Sequence, residues 1–144
     1  MECEFLDCNF SNTNLAHTIF KEVTFKGCKM VGLKFEECND FLMSFRFDNC
    51  TLNLSSFYQL KLNGQFFSSC KLIGVDFTET DLTRAVFKDC DLQNTVFYRS
   101  VLEFTDFSSA INFEINPEEN RIKKARFSRQ GLEGLLKKYD IEIA

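Results

Sequence analysis

A large apolar residue returns at every fifth position along most of this chain. The first run of these central residues reads Phe5, Phe10, Leu15, Phe20, Phe25, Met30 and Phe35. After a slip of two residues the series continues as Leu42, Phe47, Leu52, Phe57, Leu62, Phe67, Leu72, Phe77, Leu82, Phe87, Leu92, Phe97, Leu102 and Phe107. Neither the period of an α-helix nor that of a plain strand generates such a series. The pattern therefore predicts a solenoid.

The residue two positions before each central residue is usually small, as at Thr80 and Cys90. Residues two apart in extended backbone point to the same side of the chain. The central residue and the small residue before it should therefore both face inward, while the other three of each five, such as Lys26 and Asp48, face water. The spacing predicts a tube with a filled interior.

Several of the five-residue units resemble the A-D/N-L-x-x consensus of the pentapeptide-repeat family. The best examples are Val75–Glu79, Thr80–Arg84 and Cys90–Asn94. The resemblance covers roughly residues 1 to 111, with a degenerate echo to residue 127. It implies an all-β fold, a right-handed quadrilateral β-helix of about six coils in which residues 20 apart stack on one of four faces.

The cysteines check this coil length independently. All seven occupy the position two before a central residue, and five of them, Cys8, Cys28, Cys50, Cys70 and Cys90, are separated by 20, 22, 20 and 20 residues. The single spacing of 22 repeats the slip in the apolar series. Both series therefore predict a two-residue bulge or distorted corner near residues 39–41.

The cysteines do not predict a disulfide framework or a metal site. Their number is odd and no hydrophobic signal segment precedes Cys3, so we expect a reducing, cytoplasmic location. Coils stacked about 4.8 Å apart do not bring parallel side chains into disulfide geometry. With one histidine in the chain and thiols that face Phe and Leu, we interpret cysteine as a small hydrophobe and expect no metal and no cofactor.

Two regions follow from these patterns. Residues 1–127 are predicted to form a single β-helix, a rod about 30 Å long whose last coil, 108–127, is degenerate. Residues 128–144 are predicted to form a C-terminal helix and tail. Ser128 can cap the N-terminus of this helix, and Ile141 and Ile143 alternate with acids as in a short strand.

The C-terminal helix and tail carry an apolar stripe that needs a partner. A helix of about eleven residues is not stable alone in water, so its apolar side must pack on the last coil, on a second subunit or on both. We expect a homodimer through this end, and the alternative is a monomer in which the helix only covers the last coil. The predicted interface residues are Leu132, Leu135, Leu136, Tyr139, Ile141 and Ile143.

No catalytic constellation is present in the sequence, and we expect a protein that is not an enzyme. The single histidine, His17, falls at an outward position, and the inward residues Ser55 and Ser100 have no histidine to activate them. No glycine-rich phosphate loop is found. Four glycines fall two residues after a central residue, where a corner needs freedom in φ: Gly27, Gly32, Gly64 and Gly74.

Charge narrows the class of partner. Residues 1–111 hold 15 acids and 10 bases, and residues 112–144 hold 6 acids and 7 bases. Because affinity for phosphate backbones comes from lysine and arginine, the acidic body disfavours direct nucleic-acid binding and permits a protein partner with a basic groove. We expect no membrane partner. The predicted partner-binding acids are Asp76, Glu79, Asp81, Asp89 and Asp91.

Two segments resemble the quinolone-resistance (Qnr-like) group of the same family. The ending Leu135–Ile143 is similar to the helix and apolar strand that close that group, and Phe45–Cys50 resembles one of its repeat units. This resemblance implies a rod-shaped dimer that imitates duplex DNA, binds DNA gyrase or topoisomerase IV, and modulates the enzyme or protects it from quinolones.

The alternative function is a protein-protein interaction scaffold unrelated to topoisomerases. In that case outward apolar residues would make the contact, and a contiguous aromatic patch would replace the acidic stripe. The candidate residues are Phe41, Met43, Leu54, Tyr58, Phe66, Ile73, Tyr98 and Phe104.

Overall fold

The computed structural model describes residues 2–40 and 43–144 as a β-solenoid of about six turns with almost no helix. Seven short parallel strands follow one another in chain order within a single sheet. They are β1 (Cys3–Leu6), β2 (Val23–Lys26), β3 (Phe45–Asp48), β4 (Phe66–Ser68), β5 (Val86–Lys88), β6 (Asp106–Phe107) and β7 (Arg126–Phe127).

The strand register confirms both the coil length and the two-residue slip. Phe5 pairs with Phe25, 20 residues later, but Phe25 pairs with Phe47, 22 residues later. From Phe47 to Phe67 the offset returns to 20. Because Asn39 still pairs with Ile19 and Phe45 already pairs with Val23, the extra residues lie between 39 and 45. Phe41 and Leu42, part of this predicted irregularity, fall outside the described residues.

Each coil has four faces, numbered here from the face that holds β1–β7. Isolated parallel bridges between successive coils mark the other three. Face 2 includes Lys29, Thr51, Lys71, Asp91 and Ile111, face 3 includes Lys34, Ser56, Asp76 and Val96, and face 4 includes Lys61, Asp81, Val101 and Arg121. Between faces the chain turns at a corner, so residues at the same corner of successive coils also stack.

The interior is filled by columns of identical side chains. On face 1 the rings of Phe47 and Phe67 stack with centroids 5.5 Å apart, and on face 3 Phe57 stacks on Phe77 at 5.2 Å. Across the tube the two columns meet edge to face, as where Phe67 meets Phe77 at 6.0 Å and 74°. Leucines such as Leu72 occupy faces 2 and 4 and are fully buried. The alternation of Phe and Leu therefore produces aromatic contact on two opposite faces.

The small inward residues satisfy backbone carbonyls of the previous coil. Thr80 Oγ1 donates a hydrogen bond to the carbonyl of Phe57 at 2.9 Å, and the Cys70 thiol lies 3.5 Å from the carbonyl of Phe47. The cysteines thus supply weak S–H donors as well as apolar volume. Burial raises the pKa of the Cys28 thiol, so this sulfur stays protonated and poorly reactive.

The corners adopt the left-handed conformation expected for the four repeat glycines. Gly64 and Gly74 have φ of +71° and +70°. Residues with side chains occupy equivalent corners with similar values, among them Arg84 at +60° and Phe104 at +59°. Left-handed backbone is therefore a requirement of the corner that the chain meets with or without glycine.

The predicted C-terminal α-helix is wrong in type, because the segment forms two short 3₁₀ helices, Gln130–Leu135 and Lys137–Tyr139. Gly131 and Gly134 lie directly against Phe113, and the Gly134 carbonyl accepts a hydrogen bond from the Ile115 N–H at 2.9 Å. This close approach holds the segment on the last coil and leaves its carbonyls committed to that coil. Residues 141–144, the predicted strand, are without regular structure.

Candidate partner-binding surface

Three of the five predicted partner-binding acids support the local fold of their own unit. Each precedes a central residue, and its Oδ1 accepts a hydrogen bond from the backbone N–H two residues later. The distance is 2.8 Å for Asp76, 3.0 Å for Asp81 and 3.1 Å for Asp91. These aspartates therefore form Asx turns, which explains the acid in the repeat without any partner.

The structure divides the five acids into two groups. Asp76 lies on face 3, Asp81 on face 4, and Glu79 at the corner between them. We call these three residues the acidic edge. Asp89 lies instead at the corner that follows face 1, and Asp91 lies on face 2, on the other side of the rod. The acids that look continuous in sequence therefore do not form one stripe.

The acidic edge is ordered by contacts with the preceding coil. Gln59 Nε2 donates a hydrogen bond to Glu79 Oε2 at 3.0 Å, and a hydrogen bond with Glu79 raises the pKa of the Tyr58 hydroxyl. The backbone N–H of Glu79 donates to the carbonyl of Tyr98 at 2.8 Å. The edge thus presents carboxylates at fixed positions beside two tyrosines.

Bases interrupt the acids on both sides of the rod. On face 4 Asp81 pairs with Lys61 in the bridge between coils, and on face 2 Asp91 pairs with Lys71. Asp91 also accepts a hydrogen bond from Asn112 Nδ2 at 3.0 Å. Of the two groups the acidic edge holds three acids to the other's two, and it carries the exposed glutamate Glu79.

Only some of the outward apolar candidates come together. Tyr58 and Tyr98 lie on face 3 and are 38% and 39% exposed, and Val96 beside them is 45% exposed. The sequence interpretation missed Val96, although its spacing of 20 from Asp76 places it on this face. Among the remaining candidates, Leu54 and Phe104 are exposed on other parts of the surface, Met43, Phe66 and Ile73 are partly buried, and Phe41 lies outside the described residues.

The predicted dimer residues divide into one inward and five outward side chains. Leu135 packs against the core of the rod. The outward residues are between 37% and 56% exposed: Leu132, Leu136, Tyr139, Ile141 and Ile143.

A single carboxylate holds the end of this segment on the last coil. Glu118 accepts hydrogen bonds from Lys138 Nζ at 2.6 Å and from the Tyr139 hydroxyl at 3.0 Å. The hydrogen bond from Lys138 is the main reason that the pKa of Glu118 lies below its usual value. Sequence reasoning missed Glu118 because its partners lie 20 and 21 residues away.

The described part of the chain shows no arrangement typical of a reactive centre. Within residues 2–40 and 43–144, no group of three or more His, Cys, Asp or Glu side chains is placed to hold a metal ion. His17 is exposed, while Ser55 and Ser100 are buried and donate to the carbonyls of Met30 and Phe77. Over the same residues, none of the helices has the length and hydropathy that a membrane span requires.

Comparisons with solved structures agree with the fold. Two trypsin-treated forms of QnrB1, described as a plasmid-mediated fluoroquinolone resistance protein, match at TM-scores of 0.52 and 0.51 with 16% and 15% identity. Each match covers 98% of this chain and 80% of the QnrB1 chain. A pentapeptide repeat protein from the Arabidopsis thaliana thylakoid lumen matches at 20% identity and TM-score 0.33, over 76% of this chain and 68% of that one. No curated protein matches the sequence.

Family models match the repeat body directly. The model described as pentapeptide repeat region matches residues 1–67, and the model described as pentapeptide repeats (8 copies) matches residues 50–89 and 67–97. Both models describe the same five-residue unit, and together they span residues 1–97. With the register, the four faces and the stacked central residues, these matches show that the chain belongs to the pentapeptide-repeat proteins.

Proposed function

We propose that this chain is a non-enzymatic, protein-binding rod whose acidic edge imitates part of a DNA backbone and binds DNA gyrase or topoisomerase IV. Proteins of this family are generally non-catalytic scaffolds. Binding of this kind would modulate the enzyme or protect it from quinolones. The observation that carries the proposal is the acidic edge, three carboxylates fixed on one side of a rod with the backbone of QnrB1.

A fixed row of carboxylates suits a basic groove better than flexible acids would. The Asx turns hold the Asp76 and Asp81 carboxylates close to the backbone, and Gln59 holds Glu79. Less side-chain freedom is therefore lost when a partner binds. Complementary charge also raises the rate of encounter, so the interaction should weaken as salt is added.

Two copies of the rod would present two acidic edges. The exposed apolar side chains of the C-terminal segment, from Leu132 to Ile143, support a homodimer joined at this end. In such a dimer the rods would extend outward from the joint, and each partner molecule would meet a longer charged surface than one chain provides. Asp89 and Asp91 remain secondary candidates for the same contact.

The direct test is supercoiling of relaxed plasmid by gyrase over a wide titration of the purified chain, with and without a fluoroquinolone. We expect inhibition of supercoiling, or protection from the drug, that weakens as salt is raised. Topoisomerase IV decatenation provides the parallel assay. The absence of any effect on both enzymes at every concentration would reject the proposal.

Face 3 favours a second candidate, a scaffold that binds a partner through aromatic residues. Tyr58, Val96 and Tyr98 are exposed together beside the acidic edge, and tyrosine is enriched in protein interfaces. The two candidates differ in their dependence on salt, because an aromatic contact is less sensitive to ionic strength than an acidic one. Loss of binding in Tyr98→Ala with no loss in Asp81→Asn would favour this scaffold function.

A further inference from the structure

The last coil carries a dense group of bases. Residues 121–129 contain five bases and no acid, namely Arg121, Lys123, Lys124, Arg126 and Arg129, and all five are exposed. This segment belongs to the regular rod, since Arg126 lies in β7 and pairs with Asp106 of β6, and Arg121 pairs with Val101 on face 4. The positions of these charges are therefore set by the solenoid.

The fold adds two residues from earlier coils to this group. Arg84, Phe104 and Lys124 are spaced by 20 and occupy the corner between faces 4 and 1, with φ of +60°, +59° and +62°. The Arg84 guanidinium lies 4.8 Å from the centroid of the Phe104 ring, and the Phe104 N–H donates to the Lys123 carbonyl at 3.0 Å. We call Arg84, Phe104, Arg121, Lys123, Lys124 and Arg126 the basic ridge.

The charges of the basic ridge remain available to a ligand. Arg121 lies 3.5 Å from Glu103 and Arg126 lies 3.4 Å from Asp106. The two arginine side chains are nevertheless 74% and 72% exposed, and ion pairs this exposed contribute little stability. An incoming phosphate could therefore compete for either guanidinium.

We propose that the basic ridge binds the phosphate backbone of a single-stranded nucleic acid, with Phe104 as a surface on which a base stacks. Guanidinium groups match phosphate geometry, and an aromatic ring within a basic surface is the usual arrangement for single strands. The Phe104 side chain is 46% exposed between cationic neighbours. An acidic protein would use the charges but would not need this ring.

The net charge of −4 argues against nucleic-acid binding only if charge is spread evenly. The solenoid sorts it instead, because corner and face positions recur every 20 residues and collect Arg84, Lys124 and their neighbours on one side. The acidic edge lies on the corner before face 4 and the basic ridge on the corner after it. This inference is independent of binding to gyrase.

The test is fluorescence anisotropy of a labelled oligothymidine strand and a labelled duplex at low salt. The ridge variant Lys123→Gln/Arg126→Gln is compared with the control Lys29→Gln/Lys34→Gln, which removes equal charge from faces 2 and 3. We expect the ridge variant to bind the strand about tenfold more weakly and to reduce the salt slope by about 1.4, while the control changes little. Equal weakening in both variants would overturn the proposal.

Phe104→Ala separates strand binding from simple charge attraction. We expect it to lower affinity for the strand by about fivefold or more and to leave duplex affinity almost unchanged, because only a single strand offers an unstacked base. Melting curves confirm that each variant is folded. Failure of the wild-type chain to bind the strand, or its equal displacement by polyglutamate, would reject nucleic acid as the ligand.

Discussion

At the scale of single residues, the corner position two after each central residue makes an unusual demand. The same left-handed backbone is adopted by Gly64, by Leu54 and by Arg84, although only glycine reaches it without steric cost. The repeat tolerates this cost because the stacked interior fixes the corner. The sequence allowed the glycine corners to be predicted, but not that charged and apolar residues would share them.

Replacement of Gly64 by alanine should destabilise the rod. Its φ is +71°, and a Cβ there would have no heavy atom within 4 Å, so the cost comes from the backbone alone. We expect a loss of about 1 kcal/mol, seen as a fall of about 2–5 °C in Tm by circular dichroism. Gly64→Asn is the control and should lose less, since asparagine tolerates this conformation. An alanine variant as stable as the wild type would contradict the argument.

The buried hydroxyl of Thr80 should contribute through its hydrogen bond rather than its volume. Thr80→Val keeps the shape but removes the donor to the Phe57 carbonyl, which stays buried. We expect a loss of about 1–2 kcal/mol in urea unfolding. Thr80→Ser retains the donor and should recover part of this loss. Unfolding of the valine variant at the wild-type midpoint would show that the hydrogen bond is unimportant.

These carbonyl partners illustrate a limit of prediction at this scale. The spacing of two before each central residue correctly predicted that Thr80 and the cysteines face inward. It could not identify their acceptors, because the Phe57 carbonyl lies 23 residues earlier and one coil away. The contact depends on how coils stack, which the order of residues alone does not specify.

At the scale of elements, the C-terminal segment differs most from its sequence pattern. The spacing of Leu132, Leu135, Leu136 and Tyr139 predicted an amphipathic α-helix. That pattern ignores Gly131 and Gly134, which allow close approach to Phe113 and a tighter 3₁₀ turn. The element and its inward contact at Leu135 were predictable, whereas its helix type was decided by packing on the last coil.

The contact of Glu118 with Lys138 and Tyr139 should depend on pH. Because the pKa of Glu118 is depressed in the folded chain, the contact is fully formed above the ordinary glutamate range and is lost as pH falls through the depressed value. We expect the ring resonances of Tyr139 to titrate in acid by NMR. In Glu118→Gln this acid titration should be absent, and its persistence there would assign the transition to another group.

Removal of residues 128–144 should disrupt assembly. Truncation takes away the exposed apolar side chains of the C-terminal segment and uncovers Phe113 and Phe127 on the last coil. We expect light scattering to show a dimer for the full chain and a monomer or aggregate for the truncated one. Leu132→Ser/Leu136→Ser is the milder comparison, because both side chains are exposed. An unchanged dimer mass in the truncated chain would place the interface elsewhere.

At the scale of the whole molecule, the solenoid decides which charges become neighbours. The acids Asp76 to Asp91 were predictable as outward residues, but their separation into the acidic edge and the Asp89–Asp91 group was not considered in the sequence. It follows from the four faces, since residues five apart occupy adjacent faces and residues ten apart occupy opposite ones. The same sorting gathers bases from three coils into the basic ridge.

The most direct test of the account is the affinity of gyrase for three forms of the chain, measured by surface plasmon resonance. The edge variant Asp76→Asn/Glu79→Gln/Asp81→Asn keeps the Asx acceptors but removes three charges, and the comparison variant Asp89→Asn/Asp91→Asn removes two on the other side. We expect the wild type to bind, the edge variant to bind at least about tenfold more weakly, and the comparison variant to be affected much less. Equal affinity in the wild type and the edge variant, or no binding by any form, would contradict the account.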